Sequence, residues 1–231
     1  ALKEELADMA TVAKFAIVQN EGGREVTRHI EFYNLDMEGN DGIRDTATHF
    51  QPLYPYYYKT GQYMVASKYE LLDITKGTFS SQADTGAIKG WVKFSIIVGN
   101  TKITFVSTHA ASLAENATIR QNEFEEIVND IIKPDEKNVV ILGDFNTQGI
   151  SELDIFVNKG YTLVNGGYIG TFFTCPAIAP NKPYDNIIFK GDIKGVGYVW
   201  PPVCDPEHTD DEEYYISDHL PLFGKLTVKR T

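Results

Sequence analysis

The run Val139-Val-Ile-Leu-Gly-Asp-Phe-Asn146 constrains this chain more than any other stretch. Four consecutive aliphatic residues offer no polar face to water, so as a strand they must be covered on both sides. Such a strand demands a sheet with a further layer on each face. The rest of the chain supplies candidates. Residues 62–67, 91–98 and 102–107 are rich in β-branched and aromatic side chains, and Gly99-Asn100 makes a two-residue hairpin turn between the last two. Three more strands fall near 186–189, 195–200 and 222–228. Many strands with a few interspersed helices indicate an α/β architecture, in which sheets pack face to face and helices cover them.

The helices follow from the 3.6-residue period. Residues 118–132 read as a helix with Ile119, Phe124, Ile127, Val128 and Ile131 inward. Residues 2–12 read as another, and Phe15-Ala-Ile-Val18 follows as a short buried strand. Ser151 is the expected N-cap of a short helix ending near Asn158. Residues 22–57 are polar and rich in Gly and Asp, and no element is assigned there. No repeat, low-complexity tract or linker interrupts the chain, so residues 1–231 are expected to form a single domain.

Composition narrows the functional classes. With 42% hydrophobic and 12% aromatic residues, the chain can build a sizeable core. No apolar run reaches the length of a membrane-spanning helix. Residues 1–11 carry mixed charges and do not read as a signal peptide, which leaves open one removed upstream. The net charge of −11 argues against a broad basic face for nucleic acid. It does not exclude a nuclease, because a bound cation inverts the local field. Cys175 and Cys204 have no metal-ligand spacing; they either bury as small apolar groups or pair in an exported protein. The compartment stays open, with an exported setting favoured over the cytoplasm.

Four short motifs carry chemistry. Asp144 and Asn146 follow the buried strand at spacing i, i+2, which in extended chain sets both on one face. A carboxylate there can take a proton from water while an amide donates to a phosphoryl oxygen. Ile216-Ser-Asp-His-Leu-Pro221 offers Asp218 to a hard cation and His219 as a proton donor or polarising group. Asp185 opens an apolar strand and could fix a histidine's tautomer. His109 ends the strand Thr104-Phe-Val-Ser-Thr-His109. Each motif alone is more often a turn, a cap or a satisfied core histidine.

Their order is more informative than any one of them. Strand-Thr-His, Gly-Asp-Phe-Asn, Tyr-Asp-x-Ile-x-Phe and Ser-Asp-His-x-Pro together resemble the endonuclease/exonuclease/phosphatase family, over about residues 62–228. The resemblance implies a DNase I-like four-layer α/β sandwich, a two-layer β-sandwich flanked by helices. It implies that Asp144 orients or deprotonates the attacking water and Asn146 holds phosphate oxygens. By the same similarity His219 contacts the phosphoryl group, Asp185 orients it, Asp218 completes a metal site, and His109 is a second catalytic histidine. The implied cofactor is Mg²⁺ or Mn²⁺.

The start of the chain departs from the family pattern. Members open with a strand ending in Asn and follow it with a Gln-Glu pair whose Glu is the principal metal ligand. Gln19-Asn-Glu21 resembles that pair with an extra residue, and Glu21 is the expected ligand in preference to Asn20. The opening strand has no counterpart, although Phe32-Tyr33-Asn34 resembles its end; the first strand is expected to be missing or replaced. The chain would then be a fragment without its native start, or its site rebuilt or impaired. The functional expectation is a phosphodiesterase, nuclease-like first and sphingomyelinase-like second. A non-catalytic binding module is the alternative from another class. Partners reduce to a phosphodiester substrate, either nucleic acid or a phospholipid head group. An inositol-polyphosphate phosphatase fits less well, since Thr147-Gln148 stand where that branch carries Tyr-Arg.

Overall fold

The computed structural model describes residues 12–21, 24–33, 54–61, 63–83, 87–164, 171, 182–199, 219 and 222–228, the first two spans through their backbone alone. Strands β1 (Val12–Glu21), β2 (Arg24–Tyr33), β3 (Tyr56–Thr60), β4 (Tyr63–Ser67), β5 (Leu72–Thr78), β6 (Gly90–Val98) and β7 (Thr101–His109) come before the longer helix. Strands β8 (Val139–Asp144), β9 (Thr162–Leu163), β10 (Asp185–Lys190), β11 (Ile193–Val199) and β12 (Leu222–Val228) follow it. They form two sheets, ordered β11-β12-β1-β2-β4-β3 and β5-β6-β7-β8-β10-β9. Helix α1 (Ala117–Glu126) runs on into a π turn at Ile127–Ile131, and α2 (Asp154–Asn158) follows β8.

Strand β8 shows why the layers stack as they do. Val140 and Leu142 join Val65, Phe94, Phe105, Ile187 and Leu226 in the core between the sheets. Val139 and Ile141 turn the other way, onto Phe124, Ile127 and Phe156 beneath the helices. The strand is buried on both faces, as its sequence requires. This is a mixed β-sheet core flanked by helices, an α/β sandwich of the DNase I kind with no closed barrel.

Several sequence expectations are revised. Within residues 22–57, assigned no element, lie β2 and the first residues of β3. Val26, Ile30 and Phe32 alternate with polar residues along β2, a half-buried strand pattern masked by Arg28. The place of the missing opening strand is not vacant: β1 lies between β12 and β2. The helix expected over residues 2–12 lies outside the described residues, except that Val12 opens β1. Ser151 caps nothing; it sits inside a 3₁₀ turn at Ile150–Leu153 that precedes α2. The Glu152 carboxylate accepts the Gln148 backbone N–H at 2.8 Å, which ties the loop ahead of that turn to it. In α1, Phe124 is buried as expected, but Ile119 is only half-buried and Arg120 and Glu123 are buried in its place. Among the described residues no helix is long and apolar enough to cross a membrane.

Candidate active site

The hairpin turn at Gly99-Asn100 sets the first part of the site. Gly99 adopts φ 61°, which glycine tolerates without a Cβ penalty. From that turn the β6/β7 register runs without a slip until Gly90 stands opposite His109. Strand β7 pairs parallel with β8, bringing His109 opposite Asp144, and β10 pairs antiparallel with β8, bringing Asp185 opposite Asp144. One row therefore crosses the second sheet from His109 through Asp144 to Asp185.

Side-chain parity decides which way this row faces. Two residues back along each strand stand Ser107, Leu142 and Ile187, and then Phe105, Val140 and Phe189; most belong to the inter-sheet core. Side chains two apart share a face, so His109, Asp144 and Asp185 also look toward the other sheet. They begin where the apolar core ends. His219 comes from just before β12 in the first sheet, and its Nδ1 lies 2.7 Å from Asp185 Oδ2. The site is thus a polar rim closing one end of the inter-sheet core.

Asp144 is 2% exposed and Asp185 7%, so their charges are poorly solvated. The Asp144 carboxylate is held by Asn146, whose backbone N–H donates to Oδ1 at 2.7 Å and whose Nδ2 donates to Oδ2 at 3.1 Å. The two side chains meet because the chain turns, not because it stays extended: Phe145 buries its ring under the helices, and Asn146 bends back at φ 50°. Asn146 Nδ2 also donates to the Ala110 carbonyl at 3.0 Å. Both its amide hydrogens are thereby engaged within the protein.

Asp144, Asp185 and His219 each offer one ligand atom, and these atoms lie within 4.8 Å of one another. Two buried carboxylates beside an imidazole form a cluster able to hold a divalent metal. Of the residues expected at a metal, Asp218 lies outside the described residues. Glu21 is not brought to this cluster. Strand β1 runs parallel to β12 with Phe15 opposite Gly224, so its last residue ends at the side of the sheet away from His219.

His109 has a neighbour that sequence reasoning missed. The Lys89 ammonium contacts His109 Nε2, while Asp144 Oδ2 lies 3.5 Å from the same nitrogen. One nitrogen cannot both accept from the ammonium and donate to the carboxylate. Which of the two it does follows from the tautomer, so Lys89 and Asp144 compete for the same nitrogen. The signal was available: counting out from Gly99-Asn100 places residue 90 beside His109, with Lys89 next along.

Behind the site, α1 presents polar groups to the turn after His109. Glu123 Oε2 accepts the Ala111 N–H at 2.8 Å. Arg120 Nη1 donates to the Ala111 and Leu113 carbonyls at 3.0 and 2.5 Å, and its Nε to Glu152 Oε2 at 2.7 Å. Burial pushes the Glu123 carboxyl up to about 7 despite the opposing Ala111 hydrogen bond and the Lys89 and Arg120 charges. Neither residue was singled out in the sequence, since a polar pair within a helix ordinarily reads as its solvated face.

Several solved structures share this fold. A beta toxin double mutant from Staphylococcus aureus with bound magnesium ions is 21% identical, with 79% of this chain and 81% of that one covered and a TM-score of 0.59. Sphingomyelinase C from Streptomyces griseocarneus is 16% identical over 80% of this chain and 82% of its own, with a TM-score of 0.58. Truncated TDP2 from Caenorhabditis elegans is 15% identical over 99% and 89%, with a TM-score of 0.62. No curated protein matches the sequence significantly. The family model described as the Endonuclease/Exonuclease/phosphatase family matches residues 13–219, a span that holds the whole row from His109 to His219. With that match and the Asp144, Asp185 and His219 cluster in place, the chain belongs to the endonuclease/exonuclease/phosphatase family and is an enzyme of its metal-dependent phosphoesterase kind.

Proposed function

We propose that the chain hydrolyses a phosphodiester of the phospholipid head-group type, in preference to a nucleic acid. The observation that carries the hydrolytic reading is the convergence of His109, Asp144, Asn146, Asp185 and His219 at one end of the inter-sheet core. The net charge of −11 turns the reading from polynucleotides toward lipids, because a nucleic acid needs a basic track to neutralise successive phosphates. The likeness to a sphingomyelinase C supports the same direction. This ranks the lipid substrate above the nuclease expected from the motifs.

The buried carboxylates fit a hard divalent cation, and Mg²⁺ or Mn²⁺ is the one we assign. Asp144 and Asp185 would hold it, and Asp218, adjacent to His219 in sequence, is the further carboxylate we place with them. When bound, the cation supplies charge neutralisation at the phosphate. Asp144, kept rigid by the two Asn146 donors, orients the attacking water. Asn146 therefore serves Asp144 more directly than it serves a phosphate oxygen. His219, its Nδ1 fixed by Asp185, is set up for proton transfer through Nε2, and we assign it that role over metal ligation. His109, in contact with Lys89, is a second donor or acceptor at the phosphate.

The test is hydrolysis of sphingomyelin, plasmid DNA and bis(p-nitrophenyl) phosphate, with and without Mg²⁺ or Mn²⁺. Asp144→Ala and His219→Ala are each expected to lower turnover by about 10²–10³ while the protein stays folded. Near wild-type rates in either variant would remove the mechanism. Plasmid nicking faster than sphingomyelin cleavage would restore the nuclease reading.

A further inference from the structure

A cavity of about 560 Å³ opens at the corner between the sheets, alongside the row of site residues. Its walls come from the β3–β4 turn, the edge strand β5 and the start of β6. Lys89 belongs to both places: it lines the cavity, and its ammonium contacts His109. The next residue, Gly90, pairs with His109 across the sheet and donates its N–H to the Tyr63 hydroxyl at 3.1 Å, tying the two sheets together at the cavity's base.

The lining combines two chemistries. Ile88 is 70% exposed at the opening, and Tyr63, whose ring belongs to the core between the sheets, lines the cavity from the other sheet. Against these apolar groups stand two cations, Lys89 and Lys76, the latter donating to Thr60 Oγ1 at 2.5 Å. In a chain of net charge −11, two lysines on a cavity that also carries the Ile88 side chain and the Tyr63 ring select an anion joined to an apolar group. The volume lies within the roughly 300–1,000 Å³ typical of small-molecule sites. A quaternary ammonium head group is disfavoured there by the same lysines.

We infer that this cavity receives the apolar alcohol of the substrate, a hydrocarbon chain esterified to the phosphate, with Lys89 on the phosphate side. The inference rests on the phosphodiesterase reading and names the half of the substrate that the His109–Asp185 row does not hold. The phosphate lies at the row, and the chain runs outward past Lys76 along β5. Substrate preference would then be set by the group leaving through this cavity more than by the head group.

The experiment measures binding and turnover separately, with dodecylphosphocholine below its micellar concentration and with glycerophosphocholine, which shares the phosphodiester but lacks the alkyl chain. Wild-type protein is expected to bind the dodecyl compound at least about tenfold more tightly. Thr78→Trp, which fills the opening from the edge strand, and Ile88→Asp, a change at an exposed position, should each abolish that advantage. Both should leave glycerophosphocholine binding and turnover, and the melting temperature, as in the wild type. Equal binding of the two compounds by the wild type, or an undiminished alkyl advantage in both variants, overturns the inference. So does displacement of a fluorescent probe by a short oligonucleotide but not by the alkyl compound. Alkyl-dependent binding without metal-dependent turnover of either compound would instead retain the cavity's assignment and remove the hydrolytic reading.

Discussion

At Gly143 the backbone takes φ 135°, and a Cβ placed there would lie 1.9 Å from the Thr108 carbonyl oxygen. Strands β7 and β8 approach this closely just where His109 and Asp144 must stand abreast. Gly143→Ala is therefore expected to cost about 2–4 kcal/mol and to abolish turnover, because the clash is with backbone and separates the two strands. Urea unfolding beside an activity assay checks both effects, and a variant with wild-type turnover would show the approach to be dispensable. Glu123 sets a second residue-scale expectation. Its carboxyl is raised by burial from an ordinary value near 4.5 to about 7. Between those values the folded chain holds a proton that the unfolded chain has released, so stability present below pH 4.5 is lost as pH rises through about 7. Glu123→Gln keeps an acceptor for the Ala111 N–H and removes the titration. The variant should overtake the wild type at pH 8 by on the order of 2–3 kcal/mol, while the two converge near pH 5. Unfolding midpoints across that range decide it; parallel pH profiles would mean that Glu123 ionises as in water.

Among elements, the turn that carries Asp144 and Asn146 is coupled to the helices through one aromatic cluster. Phe145 packs against Phe124 of α1 at 5.6 Å and Phe156 of α2 at 5.8 Å between ring centroids. The residues on either side of it are Asp144 and Asn146, so the cluster anchors the turn that aims them. Phe145→Ala is expected to cost about 3–5 kcal/mol and also to weaken divalent-metal binding, a second effect that a cavity elsewhere in the core would not produce. The direction of β1 makes another test. Its parallel pairing with β12 sends Glu21 away from His219. Titration of Mg²⁺ or Mn²⁺ should thus show weaker binding in Asp144→Asn and unchanged binding in Glu21→Gln. Equal losses in the two would return Glu21 to the metal and require β1 to run the other way.

For the molecule as a whole, burying two carboxylates at the end of the core is costly without a cation. Divalent metal should raise the melting temperature, since a ligand at 100 times its Kd adds about 2.7 kcal/mol to folding stability. Chelation should remove both that increment and turnover, and Asp185→Asn should blunt the thermal response. A melting temperature indifferent to metal in the wild type would mean that the cluster is neutralised within the protein. Calorimetry with and without chelator separates these outcomes.

Much of this was legible in the residues themselves. Val139 to Leu142 announced a doubly buried strand, the β6–β7 hairpin was marked by its turn, and Asp144, Asn146, Asp185, His109 and His219 stood out by type and position. Local periodicity specifies which face of an element is apolar, and short motifs specify which groups can move protons or hold cations. Neither states how distant strands are ordered, in which direction they run, or what lies against a buried side chain. The tertiary structure decided that His109, Asp144 and Asp185 form one row and that Lys89 reaches His109. It also sent Glu21 to the far end of its sheet and buried Arg120 and Glu123 beneath the turn after His109. These are nonlocal outcomes, settled only when backbone pairing and burial across the whole chain are satisfied together.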